Sequence, residues 1–96
     1  MKKKSSGGNV FRDLGFSSEE AANLRVRAML MAEIEKYILA KRLTQQKTAA
    51  RFGVTQPRIS NLMRGKIALF SVDTLITMLT HAGLKVDVRV KGSAAA

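Results

Sequence analysis

The sequence has no cysteine and no tryptophan, a single proline, a single histidine and only 5% aromatic residues. Without cysteine there is neither a disulfide framework nor a thiolate metal site, which fits a reducing cytoplasm. His81 has no second histidine and no nearby carboxylate to share a metal with, so it reads as a structural residue in the last turn of a helix. No metal and no cofactor are expected. A glycine-rich phosphate loop is missing too, and Glu33 and Glu35 are two apart on a helical stretch, which points them to different sides. Nothing here supports an enzyme. Met1–Lys4 is basic like the start of a signal peptide, but polar Ser5–Asn9 follows where an apolar run is needed. No segment has the length to span a bilayer. A membrane-surface helix would need exposed Trp or Phe beside its cations, and the four Phe are dispersed.

Acidic residues are missing from one region in particular. From Lys36 to Lys66 every charged residue is basic (Lys36, Lys41, Arg42, Lys47, Arg51, Arg58, Arg64 and Lys66), while the acids fall at Asp13, Glu19, Glu20, Glu33, Glu35, Asp73 and Asp87. The formal net charge is +10 over 96 residues, enough chain for one small domain with a modest core. A merely solvated surface mixes signs; a basic region this concentrated is the footprint of a polyanion binder.

Within that region, Thr44–Lys66 (TQQKTAARFGVTQPRISNLMRGK) predicts two short helices joined by a tight turn. Thr44 caps a first helix, Gln45–Phe52, which Gly53 ends in a left-handed turn. Thr55 caps a second, Gln56–Arg64, with Pro57 in its first turn, where a missing N–H costs nothing, and Gly65 closing it. Small Ala49 lets the helices approach, with Phe52, Val54, Ile59 and Leu62 facing inward. That leaves Gln56, Arg58, Asn61 and Arg64 outward. Gln and Asn suit adenine and Arg suits guanine in the major groove, each through two hydrogen bonds worth roughly 1–3 kcal/mol of discrimination. The bland alternative is a helical hairpin in a structural bundle.

Gln45, Ala49, Gly53, Val54, Ile59 and Leu62 stand where the lambda-repressor-like (XRE) helix-turn-helix family has its signature residues, and the capping Thr, Gln-Pro, Ser-x-Leu and closing Gly-Lys also resemble that family. The resemblance implies base readout by Gln56, Arg58 and Asn61, and phosphate contacts from Gln45 and Lys66. Thr55 and Arg64 are added to the phosphate set. Pro57 departs from the family's polar base reader at its position.

Residues 1–8 read as a flexible basic arm whose Lys2–Lys4 could reach a groove or phosphates. Residues 9–84 then form the DNA-binding domain. Its lead, NVFRDLGF, carries Val10, Phe11, Leu14 and Phe16 and should dock on its own core or on a partner. Ser17 and Glu20 predict a capping box, with Glu19 and Glu20 at the positive end of the helix dipole. One long helix follows, Ser18 to about Arg42, free of Gly and Pro and roughly 37 Å long at 1.5 Å per residue. Leu30, Ile34, Tyr37 and Ile38 form its inward stripe, and Leu24, Val26, Met29 and Met31 add apolar surface for core filling or for an interface. Ile67–Phe70 should pack under the recognition helix. Ser71 then caps a helix from Val72 to about Ala82, with Leu75, Ile76, Leu79 and Ala82 inward and Gly83 ending it.

At residues 85–91 the period changes. Val86, Val88 and Val90 alternate with Asp87, Arg89 and Lys91, which predicts a half-buried strand. A lone strand leaves its backbone unpaired. Its expected mate is the same strand of a second copy, with the Val10 region or another protein as alternatives. A homodimer also suits a palindromic operator with half-sites about 34 Å apart. Residues 92–96 are a small-residue tail, taken as disordered.

Together these segments, from about Asn9 to Lys91, are similar to the small HigA-type antitoxin-like regulators of the XRE group. That resemblance implies an autorepressor that binds and neutralises a RelE-superfamily toxin, with the toxin surface on NVFRDLGF and the acid-bearing first helix. The expectation is therefore a mostly all-α, lambda-repressor-like bundle of four to five helices with one short C-terminal β-strand, acting as a cytoplasmic, homodimeric repressor of double-stranded DNA. A free-standing repressor without a toxin is the alternative. RNA binding fits the charge but not the scarce aromatics.

Overall fold

The computed structural model describes Phe11 and residues 14–92; the Lys2–Lys4 arm, Val10 as a strand mate and residues 93–96 lie outside the described residues. Among the described residues, four helices and a short 3-10 turn follow one another. They are α1 (Ser18–Lys41), α2 (Gln45–Phe52), α3 (Gln56–Met63), the 3-10 turn (Ile67–Leu69) and α4 (Val72–His81).

Each α-helix starts on the hydroxyl that the sequence supplies. Ser17 Oγ accepts from the Glu20 N–H at 3.1 Å, and the Glu20 carboxylate accepts from the Ser17 N–H at 3.1 Å, completing the capping box. Thr44, Thr55 and Ser71 accept from the backbone N–H three residues on, in Lys47, Arg58 and Thr74. α1 stops one residue short of the expected Arg42, and α3 stops at Met63 with Arg64 as its cap.

The four helices also end alike. The residue that turns left-handed is Arg42, Gly53, Gly65 or Gly83, and the N–H after it reaches back five residues: Leu43 to Ile38, Val54 to Ala49, Lys66 to Asn61, Leu84 to Leu79. In three of these closures the residue after the turn is apolar and packs on the core, namely Leu43, Val54 and Leu84. The end of α3 departs from this. Its residue is Lys66, which is exposed.

The core joins Met31, Ile34 and Ile38 of α1 to Ala49 and Phe52 of α2, Ile59 and Leu62 of α3, Phe70, and Leu75, Met78 and Leu79 of α4. Ile34, Leu62, Phe70 and Leu75 have no exposed surface. α4 lies against both α1 and α2, while α3 packs on α2 and the 3-10 turn on α1. Leu30, Tyr37, Val54 and Ala82 are half-buried against this core rather than inside it, as is Ile76 in exposure. Met78, absent from the expected inward stripe, is buried. Phe11 packs edge-to-face on Phe16 with ring centroids 6.5 Å apart and lines a cavity with Ala28, Met31 and Ala32 of α1. Leu14 and Phe16 remain exposed, so only part of the NVFRDLGF lead docks.

The expected C-terminal strand is not formed. Residues 84–92 have no regular secondary structure, and there is no strand among the described residues. The described helices use their own backbone groups internally, so residues 85–91 meet no edge to pair with among the described residues. Leu84 and Val86 settle on the core through their side chains instead, and Val88 and Val90 extend beyond it at 76% and 90% exposure. The fold is therefore all-α over the described residues. None of its helices is long and apolar enough to cross a membrane.

Candidate nucleic-acid interface

Residues 44–66 form the two-helix unit that the spacing predicts. Three residues, Gly53-Val54-Thr55, separate α2 from α3. Gly53 takes φ +71°, and a Cβ there would lie 2.9 Å from the His81 ring. The sharp turn thus needs glycine for two reasons, backbone angle and space. On the inner side, Ala49 is 6% exposed and lets α3 come close through Ile59 and Leu62. Thr48 is the one buried polar residue among the described residues, and its hydroxyl donates to the Thr44 carbonyl at 2.7 Å.

Inward Ile59 and Leu62 turn the other face of α3 outward. Gln56 and Arg64 are exposed, and Asn61 is half-buried. Gln45 opens α2 and is exposed, as are Thr55 and Lys66. Thr55 already uses its hydroxyl oxygen to cap α3, at 3.4 Å from the Arg58 N–H.

Arg58 is placed differently. At about 100° per residue it leaves α3 on the flank beside the inward stripe, not at the centre of the outer face. It is half-buried, its Nη1 donates to the Leu69 carbonyl at 3.0 Å, and its guanidinium carbon sits 4.3 Å from the centre of the Phe70 ring. Pro57, four residues before Asn61 and so on the same helical face, is exposed, and Ser60, four residues after Gln56, is half-buried.

Of the eight basic residues between 36 and 66, all but Arg58 are exposed. The one ion pair among the described residues, Lys36 with Glu33 at 3.4 Å, lies at the edge of this region. Lys41 lies over the Tyr37 ring at 5.8 Å, and Arg51 donates to the Tyr37 hydroxyl at 2.5 Å. Among the described residues no carboxylate pairs with the other basic heads of the stretch, which leaves a positive surface around the two-helix unit.

His81, expected in the last turn of α4, is there, but its work is across the fold. Its Nδ1 lies 3.0 Å from the Arg51 carbonyl, so an Nδ1–H donates to that carbonyl near the end of α2.

Comparison with known proteins follows the same lines. No curated protein matches the chain. A solved structure assigned to the XRE family of transcriptional regulators is similar at 29% identity, with a TM-score of 0.72 over 78% of this chain and 84% of that one. A helix-turn-helix domain model matches residues 10–91. With that match running from Val10 through both helices to Lys91, the chain belongs to the helix-turn-helix domain family, a family of DNA-binding regulators and not of enzymes.

Proposed function

We propose that the chain is a sequence-specific transcriptional regulator of the XRE type that binds double-stranded DNA as a homodimer and represses its own operon. The observation that carries this reading is the capped α2–α3 unit, with its polar outer face on α3 inside a stretch that contains no acidic residue. In this reading Gln56, Arg58 and Asn61 contact base edges, and Gln45, Thr55, Arg64 and Lys66 hold phosphates. Lys66 has further support: it occupies the helix-closing position that is apolar at the other three helix ends, and it is exposed. The dimer contact uses the exposed side chains of Val88 and Val90, with Val86 anchoring each tail on its own core. A cytoplasmic location follows from the function.

The regulator acts as the antitoxin of a toxin–antitoxin pair, neutralising a RelE-superfamily toxin. Support comes from apolar surface that the monomer leaves open near the start of α1: Leu14, Phe16, Val26 and Met29 are exposed, beside exposed Glu19 and Glu20. The acids would suit a basic partner. Expression of the reading frames beside this one, alone and with this chain, tests the pairing. A neighbouring product that stops growth and is rescued by this chain supports it; a harmless neighbour leaves a free-standing repressor. Repression of a reporter fused to the chain's own upstream DNA tests autoregulation separately.

A further inference from the structure

The 3-10 turn that follows the recognition unit is held by two arginines from two helices. Arg27 of α1 donates from Nη1 to the Ile67 carbonyl at 3.4 Å, and Arg58 of α3 donates from Nη1 to the Leu69 carbonyl at 3.0 Å. The guanidinium of Arg58 also stacks on Phe70, 4.3 Å from the ring centre. Phe70 has no exposed surface and belongs to the core, so the platform under Arg58 is fixed by the packing of the whole domain.

A guanidinium has five N–H donors in a rigid plane. In Arg58 the hydrogen bond to Leu69 involves Nη1, while Nε and Nη2 donate to no acceptor among the described residues. Nε and Nη2 form the side-on fork, which is one of the two edges of the plane that can grip a pair of acceptors together. The ring beneath the guanidinium restricts the tilt of that plane, and the hydrogen bond to the carbonyl restricts its rotation. An arginine held in this way loses less freedom on contact than one waving in water.

We propose that Phe70 is a positioning residue for sequence recognition: with the Leu69 carbonyl, it presets Arg58 so that its Nε/Nη2 fork meets the O6/N7 edge of a guanine. This rests on the reading of α3 as the recognition helix and of Arg58 as a base reader. Phe70 touches no DNA; it acts through Arg58. The turn after the recognition helix thereby takes part in specificity without contacting a base.

Two measurements test this. In the first, base preferences are determined from one pool of random duplexes for the wild type and for Arg58→Lys, Phe70→Leu and Phe70→Tyr, each verified as folded by its melting curve. Arg58→Lys keeps the charge but loses the fork, and should lose the guanine preference at one position, by roughly 5- to 150-fold. Phe70→Leu should weaken preference at that same position by about 3- to 10-fold, leaving the other positions and the salt dependence unchanged. Phe70→Tyr, which keeps a ring face, should retain the wild-type preference. Wild-type discrimination in Phe70→Leu, or an even loss at all positions, overturns the proposal. If Arg58→Lys alters no position, the assignment of Arg58 as a reader fails first, and the proposal with it.

The second needs no DNA. Nitrogen-detected spectra of the free protein should show the Arg58 guanidinium with hindered rotation, seen as separate Nη signals, and Phe70→Leu should merge them. A guanidinium that already rotates freely in the wild type overturns the proposal without reference to any DNA reading.

Discussion

The Nδ1 of His81, at the end of α4, lies 3.0 Å from the carbonyl oxygen of Arg51, near the end of α2, and the same imidazole covers Gly53 so closely that a Cβ would come within 2.9 Å. The last turn of one helix thereby fixes both the end of α2 and the turn that leads into α3. Gly53→Ala should be destabilising by about 1–2 kcal/mol for the left-handed backbone alone, with the clash added to it. In a His81→Ala background the clash is gone. A double-mutant cycle on melting temperature or denaturant midpoint should therefore find Gly53→Ala less costly when His81 is absent. Equal cost in both backgrounds would mean that the ring does not press on this turn.

Phosphate and base contacts separate in their salt dependence. Lys66→Ala should weaken binding to every duplex alike and reduce the slope of log K against log salt by about 0.9, the value for one released counterion. Asn61→Ala should instead relax preference at a single position by roughly 1–3 kcal/mol with the slope unchanged. Competition titrations at several salt concentrations measure both. A Lys66→Ala loss confined to one base pair would reverse the assignment.

Val88 stands clear of the core at 76% exposure in a segment without secondary structure. Val88→Pro should therefore leave the melting temperature of the fold nearly unchanged while removing a donor that pairing between two tails would use. Sedimentation should show a dimer for the wild type and a monomer for the variant. A dimer that survives the change would move the interface away from the C-terminal tail.

Thr48 is 1% exposed and its hydroxyl is bound to the Thr44 carbonyl. Thr48→Val keeps the shape and loses that hydrogen bond, so it should lower stability by about 1 kcal/mol. Denaturant unfolding followed by circular dichroism reads this directly. No effect would show the hydroxyl to be dispensable.

Much of this architecture is legible locally. Ser17, Thr44, Thr55 and Ser71 announce the helix starts because a cap is satisfied within three residues of itself. Gly53, Gly65 and Gly83 announce ends for the same reason, whereas Arg42 turns left-handed without being glycine, and the predicted helix accordingly runs one residue too far. What local pattern misses is contact between distant residues. Arg58 reads as outward because Ile59 and Leu62 turn inward, yet the nearby turn folds back beneath it and supplies a ring and a carbonyl. His81 looks like a helix-dipole residue until α4 meets α2. At 85–91 the alternation of Val86, Val88 and Val90 is sound, but period alone cannot provide a mate, and the described residues offer none.

In the proposed function α3 reads duplex DNA by sequence. Its most direct test is a titration of the wild type and Asn61→Ala against a duplex enriched from a random pool and a shuffled copy of it, between roughly 50 and 200 mM salt. The wild type should prefer the enriched duplex by about 10³-fold or more, with affinity falling steeply as salt rises and with part of the preference lost in Asn61→Ala. Equal, salt-sensitive binding of both duplexes by the wild type would contradict sequence reading and leave a basic surface that holds polyanions without distinction.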